Sequence, residues 1–183
     1  SAKIHKLRKK SSDRVEKKDS YDVGGIELEH LAYEKQLEFK RDIILQALEK
    51  FRPNGYRNFL LRPTLGMKKP YEYRNKAQFQ VRKNEHGEVV AGLYKRGTHQ
   101  LVSLPTFSTQ RPLTLQIINT VCRLLKEYEV PIYDEQQNSG IVKTLVVRES
   151  FSTGQAQLVF ITNSIKFPRK RLLLEKLQRE VPQ

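Results

Sequence analysis

The chain has one cysteine, Cys122, one methionine and no tryptophan among its 183 residues. A single thiol excludes an internal disulfide framework and any four-cysteine metal site, and it fits a reducing compartment, so the expected location is cytoplasmic. Apolar runs are scarce too, and none approaches the roughly 20 residues that cross a bilayer. The basic N-terminus lacks the apolar segment and small-residue cleavage site of a secretory signal, so no membrane role is expected. The nine glycines are scattered. They form no G-x-G-x-x-G and no Walker loop, and neither H-E-x-x-H nor C-x-x-C occurs. His5, His30, His86 and His99 share no metal-ligand spacing. Cys122 falls in an amphipathic helical pattern, where a cysteine usually serves as a small buried hydrophobe, and no activating base is identifiable beside it. The 183 residues therefore carry no recognisable active site.

Acids are the other scarcity, with 20 Asp and Glu against 34 Lys and Arg, a net charge of +14. The imbalance is segregated: residues 52–111 hold 12 Lys and Arg and only 3 Asp and Glu. A merely solvated surface mixes the signs, whereas concentrated cations attract polyanions by counterion release. The composition favours nucleic acid as the partner.

Residues 1–20 are polar and basic and read as a linker or the tail of an upstream domain. Helical periodicity runs from 27 to 51, with Leu37, Ile44, Leu48 and Phe51 on one stripe, and Pro53, Asn54 and Gly55 stop it. "NFLLRPTLG" reads as a short strand. "YEYRNKAQFQVR" (71–82), "EVVAGLYK" and "THQLVSL" read as three more, with the turn "NEHG" joining the first two. Pro112 opens a second helix over 111–129, with Leu113, Ile117, Val121, Leu124 and Tyr128 at helical spacing. "GIVKTLVVRES" and "QAQLVFITNS" form a hairpin across "FSTG", and a basic amphipathic helix covers 169–180. Hairpins and helices in separate blocks give an α+β class with a mostly antiparallel sheet.

In "YEYRNKAQFQVR" the apolar Tyr71, Tyr73, Ala77, Phe79 and Val81 alternate with Arg74, Lys76, Gln78, Gln80 and Arg82. A period of two places these sets on opposite faces of a strand, with like-facing side chains about 7 Å apart. A polar outer face explains the alternation, but not the lack of any acid between Arg74 and Arg82. Arg and Lys neutralise phosphates, and Gln bonds phosphate, ribose or base edges. The candidate RNA contacts are Arg74 and Lys76 first, then Arg82, Lys95, Arg96 and His99, with the ring of Tyr94 beside them. Arg148 is a weaker candidate, because an arginine in a buried strand pair often braces a carboxylate.

The segments "YRNKAQFQVR", "GLYKRGTHQLV" and "GGIELEHLAYEKQLEFK" resemble the central region of bacterial RNA uracil-C5 methyltransferases of the ribosomal-RNA type. "SSDRV" and "LVVRESFSTGQAQLVFITN" fit the same register, so the resemblance spans nearly the whole chain. It implies a small β-barrel (TRAM) domain upstream and a Rossmann-like domain downstream that binds S-adenosylmethionine. It also implies a parent reaction in which a cysteine adds to C6 of a flipped-out uracil before the methyl group moves to C5. That machinery is expected outside these residues, and Cys122 does not match the nucleophile motif. The expected organisation is a linker (1–20), a degenerate cluster loop with the long helix (21–55), and a central RNA-binding domain (56–183), inactive alone. The expected partner is ribosomal RNA; a stand-alone RNA-binding or ribosome-associated module and a transfer-RNA substrate are the alternatives. The helix matching 28–51 associates with the catalytic domain in that family, so an exposed groove, a displaced helix or self-association through its bare stripe is expected here.

Many members of that family hold an iron–sulfur cluster on cysteines flanking the "GG" and following the strand equivalent to "HQLVSL". Here Val23, Ile26 and Phe107 stand at those positions. Thiolates are indispensable to such a cluster, so none is expected, and the three apolar residues are read as a plug filling its space. Iron and sulfide assays on freshly prepared protein should find neither; about four iron atoms per chain would overturn this reading.

Overall fold

A computed structural model describes residues 11–52 and 59–182. They divide into two compact units, one holding residues 11–20 and 26–70, the other residues 21–25 and 71–182.

The first unit is built on helix α1 (Tyr33–Glu49). It begins six residues later than its periodicity predicts, because the preceding backbone groups have other partners. Leu31 N donates to Leu28 O at 2.9 Å, Ala32 N donates to Asp13 O at 2.8 Å, and Leu31 bridges Arg14. At the other end Phe51 N turns back to Leu48 O at 3.0 Å, and the stop signal at 53–55 lies outside the described residues. No residue of α1 is buried, and Phe39, Ile43 and Ile44 are 45 to 49% exposed. The predicted strand "NFLLRPTLG" does not form in its described part, 59–66. Pro63 lacks the N–H a ladder needs. The segment instead runs beside α1, where Thr64 Oγ1 donates to Leu37 O at 3.0 Å, Arg41 Nη2 to Leu61 O at 3.3 Å, and Met67 N to the Tyr33 hydroxyl at 2.7 Å.

The second unit is the α+β body that the block pattern implies. Its strands are β1 (Lys76–Lys83), β2 (Val89–Tyr94), β3 (Leu101–Ser103), β4 (Val142–Glu149) and β5 (Ala156–Thr162). They form one antiparallel sheet in the order β3-β2-β1-β4-β5, with β1 at the centre. β1 is shorter than the predicted 71–82. Glu72 adopts φ 53°, and residues 72–74 hydrogen-bond to 108–109 instead: Glu72 N reaches Ser108 O at 2.8 Å and Arg74 N reaches Thr109 O at 3.1 Å. Tyr73 is consequently exposed rather than in the core.

Within β1 the period of two is obeyed. Ala77, Phe79 and Val81 are buried opposite Val147, Leu145 and Ala91. Helix α2 (Pro112–Glu127) follows β3 and covers this face. Helix α3 (Lys170–Glu180) packs on α2 through buried Leu173 and Leu177, with ion pairs Arg123–Glu180 and Lys176–Glu127 at its rim. Because α2 lies between sheet and helix, its buried surface is wider than one stripe: Thr114, Ile118 and Leu125 are inside, while Leu113 and Tyr128 are half-buried. No helix among the described residues is long and apolar enough to cross a membrane.

One charge is sealed into this layer. The Glu149 side chain is 2% exposed, paired with Arg111 at 2.8 Å, and accepts from Thr114 Oγ1 at 3.1 Å, while Arg111 also lies over the Phe151 ring at 4.3 Å. Removing one partner of a buried pair leaves an uncompensated charge, whereas neutralising both does not. Arg111→Met should destabilise the fold by about 3 kcal/mol in urea unfolding, and Arg111→Met with Glu149→Gln should recover most of it. Equal losses in both variants would place the cost elsewhere.

Candidate nucleic-acid interface

The helices cover one side of the sheet, and cross-strand register decides what the other side presents. Lys76, Gln78, Gln80 and Arg82 of β1 share it with Thr144, Val146 and Arg148 of β4 and Gln157 of β5. No strand residue on this face is a carboxylate. Lys76 and Arg148 stand directly opposite each other, both exposed, and with Ser150, Gln155, Gln157 and Glu149, whose own side chain is buried, they line a recess of about 680 Å³. Gln80 is committed to the sheet, accepting from Thr144 Oγ1 at 2.9 Å. Glu149, next to Arg148 in sequence, points to the opposite face. The arginine that braces it is Arg111, so Arg148 is not the brace that its strand position allows.

At the far end of β1, Arg82 is spent on holding the fold. Its guanidinium donates to Val81 O at 2.8 Å, Lys143 O at 3.1 Å and the Tyr94 hydroxyl at 2.6 Å. It also lies 5.4 Å from the centroid of the Tyr133 ring. Glu135 approaches Arg82 at 3.8 Å and meets His99 Nδ1 at 3.0 Å, and the His99 ring lies against Tyr94 with centroids 5.4 Å apart. Register thus gathers Arg82, Tyr94 and His99, as the sequence groups them, but adds Tyr133 and Glu135, more than 30 residues away. No local pattern marks those two.

The remaining candidates are dispersed. Arg74 precedes β1 and rests against the glycine pair. Gly25 adopts φ 97°, and a Cβ there would lie 2.7 Å from Arg74 Nη2, so the loop admits the guanidinium only because Gly25 has no side chain. Lys95 pairs with Asp22 at 3.5 Å, and Arg96 is exposed on the β2–β3 turn. Val23 and Phe107 are buried, with Tyr21 edge-on to Phe107 at 6.3 Å. Ile26 is buried as well, but it falls in the other unit. Alkyl and phenyl groups offer iron no thiolate, so this donor set does not fit an iron–sulfur cluster. Cys122 is buried in α2, and burial pushes its thiol up to about 12. It stays protonated near neutrality, the opposite of what an activated nucleophile requires.

No family model matches the chain. Curated bacterial proteins do. One from Lactiplantibacillus plantarum is 58% identical over 183 residues, covering 99% of this chain and 38% of its own length. One from Enterococcus faecalis is 49% identical, covering 87% of this chain and 35% of its own length, and one from Listeria monocytogenes is 47% identical, covering 100% and 40%. Each bears the name uncharacterized RNA methyltransferase. The chain is similar to one segment of such proteins. It spans about two fifths of their length. Among solved structures, the Pyrococcus abyssi tRNA (uracil-54, C5)-methyltransferase in complex with S-adenosyl-L-homocysteine matches with a TM-score of 0.65 at 19% identity, over 89% of this chain and 35% of that one. That likeness establishes a shared fold.

The buried thiol has a measurable signature. With the folded thiol raised to about 12 and the unfolded one near its ordinary 9.0, only the unfolded state ionises between those values. Stability present below pH 9 is therefore lost as pH rises toward 12, by about 1 kcal/mol at pH 10. Cys122→Ala should flatten this part of the pH–stability curve, and native Cys122 should resist iodoacetamide until the protein unfolds.

Proposed function

We propose that these 183 residues form the RNA-holding segment of a methyltransferase acting on uridine C5, with ribosomal RNA as substrate. The observation that carries this reading is the sheet face on which Lys76 and Arg148 stand opposite each other without a carboxylate among the strand residues. Two cations lining one recess suit a phosphodiester, while Gln78 and Gln157 supply donors and acceptors for ribose or base edges. The names of the relatives and the ribosomal-type resemblance of the "GG" and "YRNKAQFQVR" segments supply the reaction and the substrate class. The segment binds and orients; it makes and breaks no bond. S-adenosylmethionine, the methyl donor of that reaction, would be held by other residues, since the described glycines form no strand–helix phosphate turn. Transfer RNA is the competing substrate, favoured by the name of the solved neighbour.

Lys76→Ala with Arg148→Ala should weaken RNA binding at moderate salt and flatten the plot of log affinity against log salt by about 1 to 2 units. The Arg74→Ala variant should show a smaller salt effect, because that guanidinium rests on the Gly25 loop. An unchanged slope in the double variant would remove the sheet face from the interface. Affinity for ribosomal and transfer RNA transcripts, measured side by side, separates the two substrates.

A further inference from the structure

The sheet face has a second concavity, and its chemistry differs from that of the Lys76–Arg148 recess. It is a groove of about 1220 Å³ between the β1–β2 turn, the β2–β3 end of the sheet and the loop 132–139. Its lining mixes signs: the carboxylates of Glu85, Glu88, Asp134 and Glu135 outnumber the cations Arg82 and Lys83. That balance disfavours a phosphate relative to the Lys76–Arg148 recess, whereas the amides of Gln100, Gln136 and Gln137 can both donate to and accept from a base edge.

His99 stands in this groove with a side chain 79% exposed. The ring is not loose. Tyr94 lies against it, tilted by 32°, and Glu135 holds its Nδ1 at 3.0 Å. Tyr94 is anchored in turn by the 2.6 Å bond from Arg82. A planar ring fixed at its edge and backed on one side has one job for which that support is useful, which is to offer its remaining face for stacking. Base–aromatic stacking needs such a fixed plane and tolerates any base.

We propose that the groove receives an unpaired nucleobase, stacked on His99, with Glu135 and Tyr94 as positioning residues and the glutamines reading its edge. This inference rests on the RNA reading above and assigns His99 a stacking role in place of a phosphate contact. Lys76 and Arg82 are six residues apart on β1, about 20 Å, so backbone and base are held at opposite ends of the same strand. A single-stranded segment fits this division, since a duplex keeps its bases stacked within.

The test uses a short single-stranded RNA containing 2-aminopurine, with affinity read by anisotropy and stacking by the probe's own fluorescence. His99→Ala should weaken binding about tenfold and abolish the fluorescence change, while leaving the salt slope as in the wild type. His99→Phe keeps a ring face but loses the Glu135 bond, so it should retain most of the affinity with a reduced fluorescence change, and Glu135→Ala, which removes the same bond, should reduce the change to a similar extent. A His99→Phe variant as weak as His99→Ala, or a salt slope reduced by about one unit in His99→Ala, would overturn the stacking role. Wild-type protein that binds no RNA would remove the RNA reading itself. Binding that depends on Lys76 and Arg148 but not on His99 would remove only this inference.

Discussion

Strand β1 can bury only one of its two faces, and most of the second unit follows from which one. Ala77, Phe79 and Val81 go under α2, each opposite an apolar partner on β2 or β4. At about 1.5 to 3 kcal/mol for each large side chain buried, a one-residue slip would lose this packing and turn Lys76, Gln78 and Arg82 toward the helix. Fixing the apolar set therefore fixes the polar set on the open side. Because β1 is central, its register is passed to β4, and Arg148 is placed opposite Lys76.

The two concavities on the open side share a sheet yet differ in charge. Among the described residues that line the Lys76–Arg148 recess, the one carboxylate is Glu149, turned inward and neutralised by Arg111. Near His99 the carboxylates remain on the walls, and Glu135 bridges toward both His99 and Arg82. Phosphate and base make opposite demands on a surface, one for net positive charge and one for neutral donors, acceptors and a flat ring. On the proposed reading, separating them along one strand lets a single sheet meet both.

Several cations that look equivalent in the sequence have unlike tasks. Arg82 ties β1 to β4 and β2 through its bonds to Lys143 O and the Tyr94 hydroxyl, so its loss would loosen the platform that carries Tyr94 and His99. Arg74 is set on the glycine pair, and Lys95 faces Asp22. Arg111 neutralises a buried acid. Among the described residues, Lys76 and Arg148 combine exposure, mutual opposition and a recess. The long helix α1 presents the reverse situation, an apolar surface on which Phe39 and Ile43 stay exposed together with Ile44 of the stripe expected to be bare.

The sequence alone determined the α+β class, the central strand's inward and outward sets, the helices and the basic character of 52–111, because each rests on local periodicity or composition. It misplaced the start of α1 and, in the described part 59–66, a strand, where turns and side-chain bonds took the place of a ladder. It also extended β1 back through Arg74, although a positive φ at Glu72 redirects that segment. Tertiary structure decided which cations remain for a ligand. Whether an arginine braces a carboxylate or faces solvent depends on the parity of its strand, and that parity is settled by pairing with residues some 70 positions away, as between Lys76 and Arg148. The association of His99 with Glu135 is likewise a product of chain crossing, to which no local pattern gives access.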